Sequence, residues 1–274
     1  MTAETEKRPG LSACVITYNE ADRIGACLQS MAACDELLVV DSHSTDETRE
    51  IASAHGARVI ERDWPGYGKQ KQFAITQARH NWVLCLDADE RLSSDLANEI
   101  EAQRLAGFRT ASGYDFPRHS RYLGRWIQYG SWMPDHQLRL FDRRRGHWSN
   151  ANLHERVLLS TSPTRLKGRL LHDPYRDLDE HIATIQRYTT LGANDLHRCG
   201  RPFHLRDLVL RPIWRFLRSY LLDRGFLDGW RGLLLASFAA HYAFLKYAKL
   251  WQLMQTEPMS SEAAASRNGA PRSP

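Results

Sequence analysis

The sequence lacks any pairing pattern for cysteine. Its 274 residues include five cysteines, an odd number, and no two of them form a Cys-x-x-Cys motif. This argues against a disulfide framework and against a cysteine-based zinc site. We therefore expect a reducing compartment and free thiols, buried as small hydrophobic groups where they lie in apolar runs.

Long hydrophobic segments are also lacking. The longest nearly uncharged apolar run, residues 233–245, is too short for a membrane-spanning helix and is closed by Lys246. The first ten residues carry charges with no apolar segment behind them, which argues against a secretory signal. We therefore expect a cytoplasmic protein that is neither exported nor transmembrane.

Positive charge is concentrated towards the C-terminus. The whole chain has a formal net charge of +5, whereas residues 198–253 contain ten Lys or Arg against three Asp. A basic segment on a nearly neutral body indicates an anionic partner, either nucleic acid or a membrane surface.

Short apolar runs alternate with helical patterns over the first hundred residues. This alternation predicts an α/β fold with a doubly wound, mostly parallel sheet. The predicted strands are 11–17, 36–41, 57–61 and 82–87, and the predicted helices are 22–33, 44–55, 69–80 and 93–106.

The rest of the chain changes character twice. Residues 113–171 are rich in aromatic residues and arginine, and a helical pattern begins near Asp179. The final stretch is small, polar and proline-containing, which predicts disorder. We predict four segments: an N-terminal tail at 1–10, an α/β domain at 11–200, basic amphipathic helices at 201–256 and a disordered tail at 257–274.

Polar side chains stand where three of the predicted strands end. Tyr18, Asn19 and Glu20 follow the first strand, Asp41 ends the second and Asp87 ends the fourth. In open α/β sheets, ligands bind beyond the carboxyl ends of the strands. Asn and Asp also favour turns and helix caps. Three such ends in register make a ligand site the better explanation.

Asp87 and Asp89 are separated by one residue at the end of a buried strand. Two such carboxylates raise each other's pKa unless a cation lies between them. Oxygen ligands of this kind suit Mg²⁺ or Mn²⁺. A calcium loop does not fit, because Leu92 stands where its glycine is needed and Asn98 where its final glutamate is needed.

Several motifs together resemble a known enzyme family: LSACVITYNEADRIGACLQS, LVVDSHSTDET, GYGKQKQFAI and WVLCLDADE. They are similar to the family 2 inverting glycosyltransferases, which have the GT-A fold. The closer resemblance is to the lipopolysaccharide core β-1,4-glucosyltransferase-like branch, through RYLGRWIQYGSWMPDHQLRLFDR, NLHERV and FLRSYLLDRGFLDGWRGLLLA. It covers roughly residues 11–250. It implies metal-dependent transfer of a sugar from a UDP-type nucleotide donor to a lipopolysaccharide core or other surface glycan, with a glycolipid or oligosaccharide as acceptor.

The resemblance implies a nucleotide pocket at the first two strand ends. Tyr18, Asn19 and Glu20 would form the floor of this pocket. Asp41 would accept the N3 proton of uracil, and it has no evident role as a cap.

The resemblance also implies a site for the diphosphate and the metal. Asp87 would lie near the ribose and the metal, and Asp89 would coordinate the metal that bridges the diphosphate. Lys69 and Lys71 stand at the start of the predicted helix 69–80, after a glycine-containing approach, and are candidate phosphate contacts, although an ordinary solvated helix start explains Lys71 equally well. Gln72 would lie one turn along from Lys69, on a nearby face.

Inverting transfer needs a base that takes the proton of the acceptor hydroxyl group as this group attacks the anomeric carbon. Glu155 is the first candidate, because His154 and Glu155 resemble the His-Glu pair of the family. Asp135, in a Trp-Met-Pro-Asp loop, is the second candidate. A salt bridge with Arg156 or another arginine is the structural alternative for Glu155.

Aromatic and arginine residues between Arg118 and Trp132 would suit an acceptor sugar, since rings stack on sugars and arginines bind phosphates. A small aromatic core beside the sheet is the alternative for Trp126 and Trp132.

The basic segment contains an amphipathic pattern. Arg211, Arg215 and Arg218 share one predicted helix face. The adjoining apolar face consists of Ile213, Phe216, Leu217, Tyr220 and Leu221. We expect this helix to lie on the anionic inner face of the cytoplasmic membrane. Packing of the apolar face against the catalytic domain is the alternative.

Three other classes of protein fit less well. A sugar nucleotidyltransferase would show a glycine- and arginine-rich signature where residues 16–20 stand, and a haloacid-dehalogenase-type phosphatase would have Thr or Val in place of Arg91. A non-enzymatic module that binds anionic polymers leaves the strand-end carboxylates without a role. Those carboxylates would also repel nucleic acid.

Overall fold

The apolar runs of the sequence form the strands of a central sheet. The computed structural model describes residues 8–109, 111–149 and 155–256. These residues divide into two compact units: the first comprises residues 8–121 and 134–174, and the second comprises 122–133 and 175–256.

Strands and helices alternate as far as residue 87, and after one further strand and one further helix, strands predominate up to residue 172. In chain order the elements are β1 (Leu11–Thr17), α1 (Ile24–Ser30), β2 (Glu36–Asp41), α2 (Thr48–Ala54), β3 (Arg58–Glu61), α3 (Tyr67–Gln77), β4 (Trp82–Asp87), β5 (Glu90–Leu92), α4 (Ser94–Leu105), β6 (Gly113–Tyr122), β7 (Arg125–Trp126), β8 (His136–Asp142), β9 (Gly146–Trp148), β10 (Val157–Leu159), β11 (Thr164–Arg165), β12 (Leu170–His172), α5 (Leu178–Arg198), α6 (Leu205–Leu217) and α7 (Trp230–Thr256).

The sheet of the first unit has the strand order β3-β2-β1-β4-β8-β6-β12-β5. The first four strands of this order are parallel, whereas β8 pairs antiparallel with both β4 and β6. A parallel sheet is covered on both faces, which explains the continuous apolar runs of β1, β2 and β4.

Alternate residues of the central strands enter two hydrophobic cores. In β1, Ala13 and Val15 pack in one core with residues of α1, α2 and α4, whereas Cys14 and Ile16 pack in the other with residues of α3. Side chains of successive strand residues point to opposite faces, so each apolar run stabilises both layers. The predicted α/β fold class is confirmed.

The second unit is mainly helical. Asp177 caps α5, because its carboxylate accepts a hydrogen bond of 2.8 Å from the backbone N–H of Glu180. Both α5 and α6 pack against α7. A π turn at Arg218–Leu222 and a 3₁₀ turn at Gly225–Asp228 connect α6 to α7. Helix α5, which the sequence places in the α/β domain, therefore belongs to the second unit.

Some sequence predictions concern residues that the structure does not describe. These are most of the N-terminal tail, the C-terminal tail from residue 257, and His154. Of the helices that the structure describes up to residue 256, none combines the length and apolarity that crossing a membrane requires.

Candidate functional site

The register of the sheet brings the three polar strand ends together. Thr17 at the end of β1 is level with Asp41 at the end of β2, and Ile16 is level with Asp87 at the end of β4. The parallel strands therefore carry Asn19, Asp41 and Asp87 to one edge of the sheet, as the sequence predicts.

Asn19 joins the loops that follow β1 and β2. Its backbone is in the left-handed region, with φ of 54°, which asparagine tolerates better than most residues. Its Oδ1 accepts a hydrogen bond of 2.8 Å from the backbone N–H of Thr45, and its own N–H donates to Ser44 Oγ at 2.9 Å. Glu20 adds a further link through its N–H to Thr48 Oγ1 at 2.8 Å. The neighbouring Tyr18 side chain is 55% exposed.

Asp41 stabilises the turn after β2. Its side chain is fully buried, and its two carboxylate oxygens accept hydrogen bonds from the backbone N–H and the hydroxyl group of Ser44. Asp41 does not cap a helix, since α2 begins at Thr48 after Glu47, but it has a structural role in this turn that the sequence did not indicate. The buried Asp41 carboxylate is already engaged by Ser44. Its contact with uracil stays a prediction.

The three candidate residues on helix α3 have different surroundings. Lys69 is exposed. The side-chain oxygen of Gln72 accepts a hydrogen bond of 2.8 Å from the backbone N–H of Trp148, so Gln72 supports β9. Lys71 is buried, with only 4% of its side chain exposed, and it points to the end of β4.

Lys71 lies between two carboxylates. Its Nζ atom is 2.8 Å from Asp87 Oδ1 and 2.8 Å from Glu155 Oε1. The ammonium group also lies over the ring of Trp148, 4.9 Å from the ring centroid. The anticipated salt bridge of Glu155 thus forms with a lysine rather than with an arginine. The solvated helix start that we considered for Lys71 is not observed.

Two arginines extend this ion-pair chain. Arg139 on β8 lies 2.9 Å from Asp87 Oδ2 and 2.9 Å from Glu90 Oε1. Arg118 on β6 lies 3.0 Å from the same Glu90 oxygen and 2.7 Å from Asp135 Oδ2. We call these four carboxylates and three cations, from Glu155 through Lys71 to Asp135, the ion-pair network.

The network keeps Asp87 ionised. Burial by itself raises the pKa of the Asp87 carboxyl group, but the adjacent charges of Lys71 and Arg139 outweigh burial and hold this pKa well below its usual range. Burial likewise lowers the pKa of the Arg139 guanidinium, but Glu90 and Asp87 raise it above its usual range overall. Each buried charge is thus compensated by its neighbours.

Asp89 lies outside the network. Its Oδ1 atom is buried and makes no hydrogen bond within the described part of the chain, and its Oδ2 atom is 3.4 Å from His172 Nε2 on β12. Burial raises the pKa of the Asp89 carboxyl group, but the proximity of His172 lowers it overall. Nδ1 of His172 is 2.8 Å from Ser120 Oγ, which fixes the orientation of the ring.

These features fit a divalent cation at Asp89. A buried carboxylate oxygen without a partner is costly, and a cation on that oxygen would relieve the cost. No group of three or more His, Cys, Asp or Glu side chains forms a metal cage among the described residues. Mg²⁺ is often bound through one or two protein ligands together with substrate phosphates, so a site built on Asp89 would not need such a cage. Asp87 is less available, because Lys71 and Arg139 engage both of its oxygens.

The two candidate bases differ in their surroundings. Asp135 has both oxygens engaged, with Arg118 at 2.7 Å and with Gln137 Nε2 at 2.6 Å. Within the described part of the chain, Glu155 pairs with Lys71 at 2.8 Å, and 16% of its side chain is exposed. Among the described contacts, the Asp135 carboxylate is thus engaged at both oxygens and the Glu155 carboxylate at one.

The aromatic residues near Trp132 form a core. Trp132 packs against the rings of Tyr122, Tyr175 and His181 within the second unit, at centroid distances of 5.5 to 6.5 Å. This favours the small aromatic core over an acceptor platform for Trp132.

Sequence patterns did not identify several members of the site. Arg139 stands in the apolar run of β8, and a charged residue in a buried strand is itself a signal of pairing. His172 gives no such signal, because it is 83 residues from Asp89 in sequence and reaches it only through the pairing of β12 with β5. Glu90 stands in the acidic segment after the fourth predicted strand, but the sequence patterns predicted no role for it or for Trp148.

Comparisons with known proteins identify the family of this chain. The model for glycosyl transferase family 2 matches residues 12–157. The lipopolysaccharide core biosynthesis glycosyltransferase LpsC of Rhizobium meliloti is 31% identical over 88% of this chain and 92% of its own length. An uncharacterised glycosyltransferase of Rickettsia typhi is 30% identical over 89% of this chain and 87% of its own length.

Solved structures show weaker similarity. Glucosyl-3-phosphoglycerate synthase from Mycobacterium tuberculosis, crystallised with Mn²⁺, UDP and glucosyl-3-phosphoglycerate, is 19% identical, with a TM-score of 0.45 over 72% of this chain and 82% of that one. TarS from S. aureus, crystallised with UDP-GlcNAc, is 15% identical, with a TM-score of 0.44 over 93% of this chain and 92% of that one.

The family model covers more than half of the chain, and the relative from Rhizobium meliloti is similar along nearly its whole length. The chain belongs to glycosyl transferase family 2 and is a nucleotide-sugar-dependent glycosyltransferase.

Proposed function

We propose that this protein is a metal-dependent, inverting glycosyltransferase that moves a sugar from a UDP-type donor to a lipopolysaccharide core or other surface-glycan acceptor. The observation that carries the proposal is the Asp89 carboxylate at the end of β4, with a buried oxygen that no described residue binds and with His172 beside it. The relative LpsC is a lipopolysaccharide core biosynthesis glycosyltransferase by name, which supports the choice of acceptor class.

Asp89 and His172 would hold the divalent cation, Mg²⁺ or Mn²⁺. When bound, the cation would offset the negative charge that grows on the departing diphosphate. The pocket floor of Tyr18, Asn19 and Glu20 would receive the nucleotide at the ends of β1 and β2. Asp87, which Lys71 and Arg139 keep ionised, would lie near the ribose.

Glu155 would act as the general base. The acceptor oxygen attacks the anomeric carbon, the bond from that carbon to the diphosphate oxygen breaks, and the electron pair leaves with UDP. The proton of the acceptor hydroxyl group passes to Glu155. Attack opposite to the leaving group inverts the configuration at the anomeric carbon. Lys71, whose Nζ lies 2.8 Å from Glu155 Oε1, would hold this carboxylate in position for the acceptor.

The test is a donor and acceptor assay with the purified protein. UDP-sugars are incubated with lipopolysaccharide core oligosaccharide from a strain that lacks this gene, in Mg²⁺, in Mn²⁺ and in chelator, and UDP release and product mass are measured. We expect metal-dependent growth of the acceptor by one sugar. Full activity in chelator, or release of pyrophosphate from a nucleoside triphosphate and a sugar phosphate, would contradict the proposal.

A further inference from the structure

Large apolar side chains are exposed along α6 and the turns that follow it, within the second unit. Each of them is at least 40% exposed, which is unusual for so many leucine, tryptophan and phenylalanine residues in one segment. We call the following eleven residues the apolar surface: Leu205, Val209, Leu210, Ile213, Trp214, Leu217, Leu221, Leu222, Phe226, Leu227 and Trp230.

The apolar surface follows the helical repeat. Leu210, Ile213, Trp214 and Leu217 are spaced by three or four residues, so they form one stripe on α6. The opposite side of α6 faces inward, where Leu208 is partly buried and packs against the core formed by Ala193 of α5 and by Tyr247 and Leu250 of α7. The stripe is therefore not the face that α6 uses for folding.

Positive charge accompanies this surface. Residues 205–230 contain five arginines and three aspartates. Two of the aspartates are buried and engaged: Asp207 binds Arg211 at 2.7 Å, and Asp228 accepts backbone hydrogen bonds from Gln128 and Tyr129. The third aspartate of this segment, Asp223, offsets positive charge near the apolar surface through a long ion pair of 3.6 Å with Arg218. The exposed charge is predominantly positive.

The arginines that are free to contact an anionic partner are not all those that the sequence pattern indicates. Arg211 is held by Asp207 and lies over the ring of Tyr247, 5.1 Å from its centroid, so it supports the packing of α6 on α7. Arg206 is exposed and lies one turn before Leu210. Arg218 is 56% exposed and precedes Leu221 and Leu222 by one turn.

We propose that the apolar surface lies in the interface of an anionic lipid membrane, with its apolar side chains among the acyl chains and Arg206 and Arg218 at the lipid phosphates. Basic residues beside exposed apolar residues are the pattern of helices that lie in the interface plane. Trp214 and Trp230 are of the residue type that favours the headgroup region. The protein would then be peripheral on the inner face of the cytoplasmic membrane, where a lipid-linked acceptor would also be found.

The charges favour lipid over a second copy of the chain. Two copies joined through this surface would bring arginines of both chains together, and like charges across an interface oppose association. Anionic headgroups would instead neutralise them.

The test is flotation of the full-length protein with vesicles of phosphatidylcholine alone or mixed with phosphatidylglycerol, at low and high salt. An apolar variant carries Ile213→Gln, Leu217→Gln and Leu221→Gln, and a charge variant carries Arg206→Gln and Arg218→Gln. Each variant has a matched control in the same unit but outside the apolar surface. The control for the apolar variant carries Leu178→Gln, Ile182→Gln and Phe244→Gln, and the control for the charge variant carries Arg187→Gln and Arg198→Gln. Circular dichroism confirms that each variant is folded.

We expect the intact protein and both controls to float with phosphatidylglycerol vesicles, more weakly at high salt. The apolar variant should bind all vesicles at least about tenfold more weakly, and the charge variant should lose about tenfold on anionic vesicles alone. The proposal would be overturned if the intact protein did not float, or if the variants bound vesicles as well as the controls do. It would also be overturned by a dimer, seen by sedimentation without lipid, that only the apolar variant abolishes. No sugar donor is present, so these results are independent of the proposed transfer activity.

Discussion

Nζ of Lys71 lies 2.8 Å from Oε1 of Glu155 and so ties α3 to the segment that precedes β10. The same ammonium group binds Asp87 at the end of β4. One buried cation thereby sets the position of the proposed base and of the proposed ribose contact. The predictions below separate this structural contribution from catalysis.

Lys71→Met should destabilise the protein. It leaves Asp87 and Glu155 without their shared cation, and loss of one member of a buried ion pair costs about 3 kcal/mol in the free energy of unfolding. Urea denaturation measures this quantity. Lys69→Met is the matched control, because Lys69 is exposed on the same helix, and it should change the free energy of unfolding by less than about 0.5 kcal/mol. Equal effects of the two variants would contradict a structural role for the Lys71 bridge.

Glu155→Gln should lower kcat by about 10²-fold or more, because glutamine keeps the shape of the side chain but cannot accept the proton. Donor binding, measured by calorimetry with UDP, should be nearly unchanged. Asp135→Asn should lose less activity, since Arg118 and Gln137 already engage both Asp135 oxygens. The reverse ranking would make Asp135 the base and Glu155 a structural residue.

Asp41→Ala should weaken UDP binding, and the structure offers a control that the sequence did not. Ser44→Ala removes the hydroxyl partner of Asp41 while the carboxylate stays in place. If Asp41 contacts the base, calorimetry should show a greater loss of UDP affinity for Asp41→Ala than for Ser44→Ala. Equal losses would mean that Asp41 acts by holding the turn, and unchanged affinity in both would remove Asp41 from the site.

His181 should make the stability of the second unit depend on pH. Burial against Tyr175 and Phe238 lowers the pKa of His181 from 6.5 to about 4. Between these values the unfolded chain takes up a proton that the folded chain does not, so the free energy of unfolding falls as the pH falls from 6.5 towards 4. The loss is on the order of 2–3 kcal/mol.

The measurement for His181 is urea denaturation at several pH values between 7 and about 4. His181→Gln should lose less stability across this window than the wild type, whereas His241→Gln, at an exposed position on α7, should behave as the wild type does. Identical pH dependence of all three proteins would contradict a neutral, buried His181.

Local sequence predicted the parts of the fold that depend on local chemistry. The strands β1, β2 and β4 have the predicted bounds, because a run of buried apolar residues between polar ends has few alternatives. Helix α2 starts at Thr48 instead of near Ser44. The reason is that Ser44 binds Asp41 and Asn19, so its side chain is not available to cap a helix.

The strand pattern of the sequence predicted only those site residues that directly follow a strand. Asp87 and Asp89 follow β4 directly, and sequence order places them. The partners of these two residues come from β8, β12 and α3, whose pairing with or packing against the sheet no local pattern specifies. For this reason Arg139 and His172 were missed, and Lys69 was preferred to Lys71 as a site residue.

Metal dependence at Asp89 is the central claim, and a titration of Mn²⁺ against initial rates of UDP release from a UDP-sugar tests it most directly. Asp89→Asn should lose nearly all turnover at every Mn²⁺ concentration while it stays folded, because loss of a charged ligand removes several kcal/mol of transition-state stabilisation. Asp95→Asn, at an exposed position in the first turn of α4, should match the wild type. Wild-type turnover by Asp89→Asn, or full activity of the native protein in chelator, would contradict the account.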